Sequence, residues 1–300
     1  SEFTDNDNSW TDAEFNNSNF DHVALDAHWG AMKTSDYFKL KHNRNSFDNN
    51  GARINSYVHY SVGYVNAFWN GTSMTYGDGD GIYYFPLTTL DICGHEIAHA
   101  VCEYSANLIY SYESGAVNES LSDIWGACVE YFSDPQKNTW LLADECSVTG
   151  TPFRSMSNPN SQGQPDTYKG NYWYTGSADN GGVHYNSGVM NFWFYLLSVG
   201  QSGVNDFGIT FNVSGIGIDK AAAIVYRAET MYLFPSSTYP DARITTLQAA
   251  QDLYGVNSNE YIQAKKAWDA VGVKEFLPAP SALAGTINGN VSIRLNWTFN

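Results

Sequence analysis

The sequence predicts an α+β protein of two lobes: a strand-rich N-terminal lobe, a helical C-terminal lobe, and one helix bridging them. Three observations carry this. Residues 51–76 are rich in β-branched and aromatic side chains, the composition of strands. From residue 89 onward, apolar residues recur at helical spacing in successive blocks. The chain has 300 residues, 43% hydrophobic and 15% charged, which suffices to bury a sizeable core.

The elements follow in order. Residues 1–20 are polar and Asn/Asp-rich. Over 21–42, Val23, Leu25, Trp29, Met32, Tyr37 and Leu40 fall at helical spacing, so a helix is expected. The stretch 51–76 reads as strands with a turn at Asn70-Gly71. GDGDG at 77–81 is a loop; Asp78 and Asp80 suit a plain turn better than a cation site. Helices are expected over roughly 89–105, 117–133, 183–199, 219–232, 244–254 and 258–271. Between them, 134–182 is long and rich in Gly, Pro, Asn and Ser, and a loop of that length in a compact domain is usually functional. No internal repeat is present. The expected lobes are 1–104, with the bridging helix, and 105–274. Residues 275–300 stand apart: after a Pro-rich linker, Val291, Ile293, Leu295 and Trp297 alternate like the first strands of a further β domain.

Charge narrows the function classes. Lys and Arg total 15 against 31 Asp and Glu, a net charge of −16. Nucleic-acid binding needs a basic footprint, and anionic lipid repels such a surface. An acidic chain suits a soluble protein that binds cations such as Ca²⁺. No segment spans a membrane; the most apolar stretch, Phe192 to Val199, is too short. The start, SEFTDNDNSW, lacks the basic and apolar regions of a signal peptide. Cys93, Cys102, Cys128 and Cys146 match no CxxC metal pattern and leave disulfides or buried thiols open.

The chemistry is carried by His95-Glu96-Ile97-Ala98-His99, an H-E-x-x-H pattern. On a helix, positions four apart share a face, so both imidazoles can meet one ion while Glu96 reaches a water on it. Glu119, at the start of the next expected helix, returns to the pair if the two helices pack antiparallel. Two His and one Glu leave a fourth position open, the arrangement of catalytic zinc. Asp123, four residues on, can accept from the second nitrogen of His95, and Asn118 from that of His99, orienting both rings.

HEIAHAVCEYSANLIYSYESGAVNESLSDIWGACVEYF resembles the thermolysin family of zinc endopeptidases, with HExxH and a downstream NExxSD. VHYSVGYVNAFWNG (58–71), YGDGDG (76–81), FRSMSNP (153–159) and DNGGVHYNSGV (179–189) extend the resemblance over roughly 4–274. It implies a thermolysin-like two-lobed fold with the zinc helix between the lobes. It implies zinc on His95, His99 and Glu119, with Glu96 as general base. Tyr110 and His184 would steady the oxyanion, and Asp179 would orient His184. Arg154 would bind the substrate backbone, and Asn66 and Ala67 would lie on the edge strand that pairs with extended peptide. Tyr84, Leu87, Ile92 and Phe153 would line the pocket for the residue after the cleaved bond, giving a preference for bulky hydrophobic residues there.

The resemblance also implies calcium on Asp91 and Glu130. The acidic run that follows in the family is largely replaced by Thr139, Trp140 and Leu141, so one calcium is expected rather than two. Asp5 and Asp7 resemble a further calcium loop. Family members are secreted with a propeptide removed, so an extracellular home is expected, with protein or peptide substrates and a monomeric state. A Cys93–Cys128 disulfide is the first pairing to expect in that setting. The start lacks the family's first β-hairpins, and the tail is similar to the opening of a fibronectin type III-like sandwich interrupted at residue 300. Competing readings are a non-catalytic scaffold, which would need a broken catalytic position where none of the matched ones is broken; an adhesin dominated by its β module, though an appended domain does not change the reaction; and an aminopeptidase, against which stand the family's edge-strand motif and the absence of an obvious amine-anchoring acid cluster.

Overall fold

A computed structural model describes residues 21–274 continuously, Phe3, Thr11, Phe15 and Asn17 ahead of them, and the backbone of two strands after them. Asp5 and Asp7 lie outside the described residues, as do 275–281.

Helix α1 (Asp21–His42) buries Val23, Ala27, Gly30, Ala31, Thr34, Tyr37 and Phe38. This face differs from the expected one, since Trp29, Met32 and Leu40 are exposed. Close packing decides it at the crossing: a Cβ on Gly30 would stand 2.5 Å from Cys93 Cβ, so small residues face the bridging helix there and Trp29 and Met32 turn outward, while Val23 and Tyr37 of the expected face stay buried. The region expected as strands is mostly loop, with three short strands, β1 (Ser56–Tyr57), β2 (Ala67–Trp69) and β3 (Met74–Tyr76). β3 is central, parallel to β1 and antiparallel to β2. The β2–β3 hairpin closes at Asn70, whose amide N–H donates to Ser73 O at 3.1 Å, with Gly71 left-handed at φ 91°. β2 is therefore an edge strand. In the loop that follows, Asp80 accepts backbone N–H groups of Ile82, Tyr83 and Tyr84, the plain turn expected, while Asp78 pairs with His59 at 2.9 Å.

The bridging helix α2 (Leu90–Glu103) packs on α3 (Tyr112–Ser133), and both are buried along most of their length. α3 begins five residues before the expected start. The expected loop carries a two-stranded ladder, β4 (Leu141–Leu142) with β5 (Arg154–Ser155). Helices α4 (Asp179–Asn186) and α5 (Gly188–Val199) follow, then the β6 (Gly200–Val204) and β7 (Thr210–Ser214) hairpin. Helices α6 (Ile218–Met231), α7 (Tyr239–Tyr254) and α8 (Asn259–Ala270) complete the second lobe. Its core includes Trp193 stacked on Trp268 at 4.6 Å. Strands β8 (Ala282–Ile287) and β9 (Ile293–Thr298) pair antiparallel.

The expected Cys93–Cys128 disulfide is not formed: all four cysteines are free and buried. Cys93 Sγ faces the Thr88 carbonyl and the Tyr76 hydroxyl, whereas Cys128 faces Tyr37. The two thiols leave their helices toward different neighbours, while glycines occupy the α2–α3 crossing.

Candidate active site

The site begins with how closely two helices can approach. A Cβ on Gly126 of α3 would lie 2.5 Å from the Asp91 carbonyl of α2, and one on Gly94 would lie 3.0 Å from Gly126 Cα. Glycine at both positions lets the helix backbones touch. Glu119, one turn into the buried part of α3, then reaches the His95–His99 face of α2.

Both imidazoles are held by their Nδ1 atoms. His95 Nδ1 donates to Asp123 Oδ1 at 2.8 Å, and His99 Nδ1 donates to Asn118 Oδ1 at 2.7 Å. Each acceptor fixes the tautomer, leaving both Nε2 atoms with lone pairs. Those atoms face each other at 3.0 Å. Glu119 adds its carboxylate, with Oε1 3.3 Å from His99 Nε2 and Oε2 3.7 Å from His95 Nε2. Among the described residues, this is the one group of three His, Cys, Asp or Glu side chains whose ligand atoms all lie within 4.8 Å. Two lone pairs at such a distance repel unless a proton or a metal ion lies between them. Burial would lower the His99 pKa, but Glu119 outweighs it and lifts the ring to about 9. Glu119 Oε2 is buried without a hydrogen-bond partner. Two imidazoles and one carboxylate, whose second oxygen is orphaned, fit zinc with one position left open.

Glu96 is buried beside the pair, and its Oε2 also lacks a hydrogen-bond partner. Glu96 is also among the residues that line the cleft. Tyr110 and His184 approach from the second lobe: the Tyr110 hydroxyl donates to Glu119 Oε1, and His184 Nε2 lies 3.4 Å from the same oxygen. Burial and then the Glu119 charge raise the Tyr110 pKa, so its hydroxyl stays a donor. Asp179 holds His184 at both its Nδ1 (2.6 Å) and its amide (2.9 Å). The loop presenting it is left-handed over four consecutive residues, Asp179 (φ 52°), Asn180 (49°), Gly181 (90°) and Gly182 (81°). Asp and Asn tolerate this region best among side chains, and glycine is required where Cβ would meet the Tyr112 and Tyr174 rings at 2.4 Å.

Asp123 is saturated. It accepts from His95, from Arg154 Nε and Nη2 at 2.7 and 2.6 Å, and from Asn191 Nδ2 at 2.8 Å. Burial would raise its pKa, but the guanidinium prevails and holds it at about 2. Asn191, in the apolar run of α5, is a partner sequence reasoning missed; a lone polar residue in that run was its one signal.

These side chains open on a cleft of about 530 Å³. One end is apolar, built by Leu87, Ile92, Leu142 and Phe153; edge strand β2 flanks the other with Phe68 and Trp69. Asn66 and Ala67 line the cleft at the head of this strand. Tyr84 does not reach it; its ring packs edge-on behind Phe153 at 5.0 Å. Asp91 and Glu130 sit in a buried acidic group beneath the apolar end. Asp91 accepts from Thr89 Oγ1 at 2.6 Å and from the Ala143 amide at 2.5 Å. Burial, then the Asp91 charge, pushes the Glu130 carboxyl up to about 8.

Family models described as thermolysin metallopeptidase, catalytic domain, and thermolysin metallopeptidase, alpha-helical domain, match residues 1–103 and 106–273. The chain is 48% identical over 269 residues to bacillolysin of Bacillus cereus, covering 88% of this chain and 46% of that protein. It is 46% identical over 275 residues to the thermostable neutral protease NprT of Geobacillus stearothermophilus, covering 90% and 48%. The chain thus spans about half the length of the curated relatives it matches. Among solved structures, the precursor of protealysin, a metalloproteinase from Serratia proteamaculans, superposes with a TM-score of 0.74 at 34% identity, covering 87% of this chain and 81% of that one.

Proposed function

The chain belongs to the thermolysin metallopeptidase family, and from that premise we propose that it is a zinc endopeptidase acting on proteins and peptides. One observation carries the reading: the paired His95 and His99 nitrogens and Glu119 converge beside an unpartnered Glu96, inside a cleft with an edge strand along one wall. Zinc held by His95, His99 and Glu119 would supply a Lewis acid that acidifies water and polarises a carbonyl.

The protein's own residues do the rest. Strand β2 offers its free edge, with Asn66 and Ala67, to an extended peptide. Glu96 takes a proton from the attacking water and returns it to the leaving amine. Tyr110 and His184 hydrogen-bond the oxygen that becomes negative as the carbonyl turns tetrahedral. Their convergence on one Glu119 oxygen supports this pairing. With its Nδ1 proton on Asp179, the His184 ring donates from Nε2 when it carries its second proton. Arg154, locked on Asp123, faces the cleft and positions substrate backbone. Leu87, Ile92 and Phe153 select a bulky hydrophobic residue after the cleaved bond, with Tyr84 as backing.

We extend the proposal to one calcium ion at Asp91 and Glu130, to secretion, and to a monomer that binds neither nucleic acid nor membrane. The calcium rests on two buried carboxyl groups whose charges oppose each other. The β8–β9 pair is read as the opening of an appended fibronectin-like β domain after the lobes 1–104 and 105–274. The decisive experiment is casein cleavage beside metal analysis. A chelator abolishes cleavage and zinc restores it; cleavage by zinc-free protein overturns the proposal.

A further inference from the structure

Resting on the endopeptidase reading, we propose that Glu103 and Trp69 form a subsite selecting Lys or Arg on the amino side of the cleaved bond. Helix α2 gives the direction. Ile92 lies in its first turn, His95 and His99 in its middle, and Glu103 at its last residue. At about 1.5 Å per residue, Glu103 stands about 12 Å beyond His95 along the axis. Strand β2 runs alongside in the same sense, because Trp69, its last residue, meets Glu103. The apolar end, with Ile92, takes the residue after the cleaved bond. Residues before that bond therefore extend past the zinc ligands toward Trp69 and Glu103.

This end has a different chemistry. Trp69 Nε1 donates to Glu103 Oε2 at 2.6 Å, which fixes both groups. Phe47 packs against the indole at 5.3 Å and supports it from behind. Glu103 is exposed, and among the described residues it has no ion-pair partner within 4.0 Å. The cleft's guanidinium, Arg154, is already committed to Asp123 through two hydrogen bonds. A lysine or arginine lays its aliphatic stem on the indole and brings its charge to the carboxylate. An acidic residue there meets repulsion instead.

The test uses the zinc-loaded protein and short peptides with one leucine after the intended bond. Lys, Leu or Glu is placed in turn at each of the three preceding positions. At one position kcat/KM for Lys exceeds that for Glu by about three- to ten-fold, as for an exposed pair focused by a cleft. The ratio falls with added salt. Glu103→Gln keeps an acceptor for Trp69 and abolishes the ratio; Glu103→Lys inverts it. The ratio is taken within one variant, so partial misfolding cancels. Cleavage before leucine with equal Lys and Glu rates at all three positions, or a ratio unchanged in Glu103→Gln, overturns the subsite alone. No cleavage of any peptide overturns the endopeptidase reading and the subsite with it.

Discussion

Asp123 shows how one residue ties the site together. Its carboxylate fixes the His95 tautomer, holds Arg154 in two bonds, and is itself fixed by Asn191. Asp123→Asn leaves Arg154 buried without its counter-charge and weakens the grip on His95. Zinc affinity should fall about 10–100-fold in chelator competition. The proposed mechanism gives Glu96 and His184 other work, and their variants separate it. Glu96→Gln should keep zinc and fold yet lose nearly all turnover, because an amide cannot accept the proton. His184→Ala should keep zinc and lose about 10²–10³-fold, mainly in kcat, as for one lost oxyanion donor. Zinc stoichiometry with steady-state kinetics decides both; zinc lost from His184→Ala means the ring is a ligand instead. At this scale the sequence was most readable where chemistry has a helical spacing: His95 with His99, Glu119 with Asp123. Asn191 and the Trp69–Glu103 pair were not readable, because they join residues far apart in the chain.

Among elements, the left-handed turn that opens α4 has no tolerance to spare. Gly182→Ala adds a Cβ 2.4 Å from the Tyr174 ring at φ 81°. Overpacking and backbone strain together should cost about 2–4 kcal/mol, and kcat should fall as His184 shifts. Thermal melting and kinetics check this; an unchanged melting point means the loop relaxes freely. Helix existence was legible from period, but faces and boundaries were set by neighbours. α1 turns small residues inward because α2 presses on Gly30. α7 starts earlier than its apolar pattern because Thr238 and Asp241 form a capping box there. Strand composition over 51–76 built loops more than sheet, since the residues pack singly on the helices rather than in a ladder.

For the molecule as a whole, buried carboxyl groups set the response to pH. Glu229 of α6 is buried, holding Trp125 Nε1 of α3 at 2.8 Å; burial raises its pKa to about 7. A folded pKa above the unfolded one (about 4.3) gives stability that is full below about pH 4.3 and lost as pH rises through 7. Glu229→Gln should flatten this decline, raising the melting point more at pH 8 than at pH 5. Equal shifts at both pH values would show that the carboxyl does not titrate with unfolding. Glu130 has the same sign, with the loss continuing to about pH 8. Calcium should remove that part of the slope, and Asp91→Ala/Glu130→Ala should remove the calcium effect. A double variant whose melting still rises with calcium places the ion elsewhere.

The four free thiols give the protein a built-in set of clocks. None is more than 2% exposed, and burial pushes Cys128 and Cys146 up to about 12. A thiol reagent therefore reads opening events, one per cysteine. Cys146 sits in the loop between β4 and β5, whereas Cys93, on α2, is pressed against Gly30 of α1. Mass spectrometry over time should find Cys146 modified first, and Cys93 only at the rate at which the whole core comes apart.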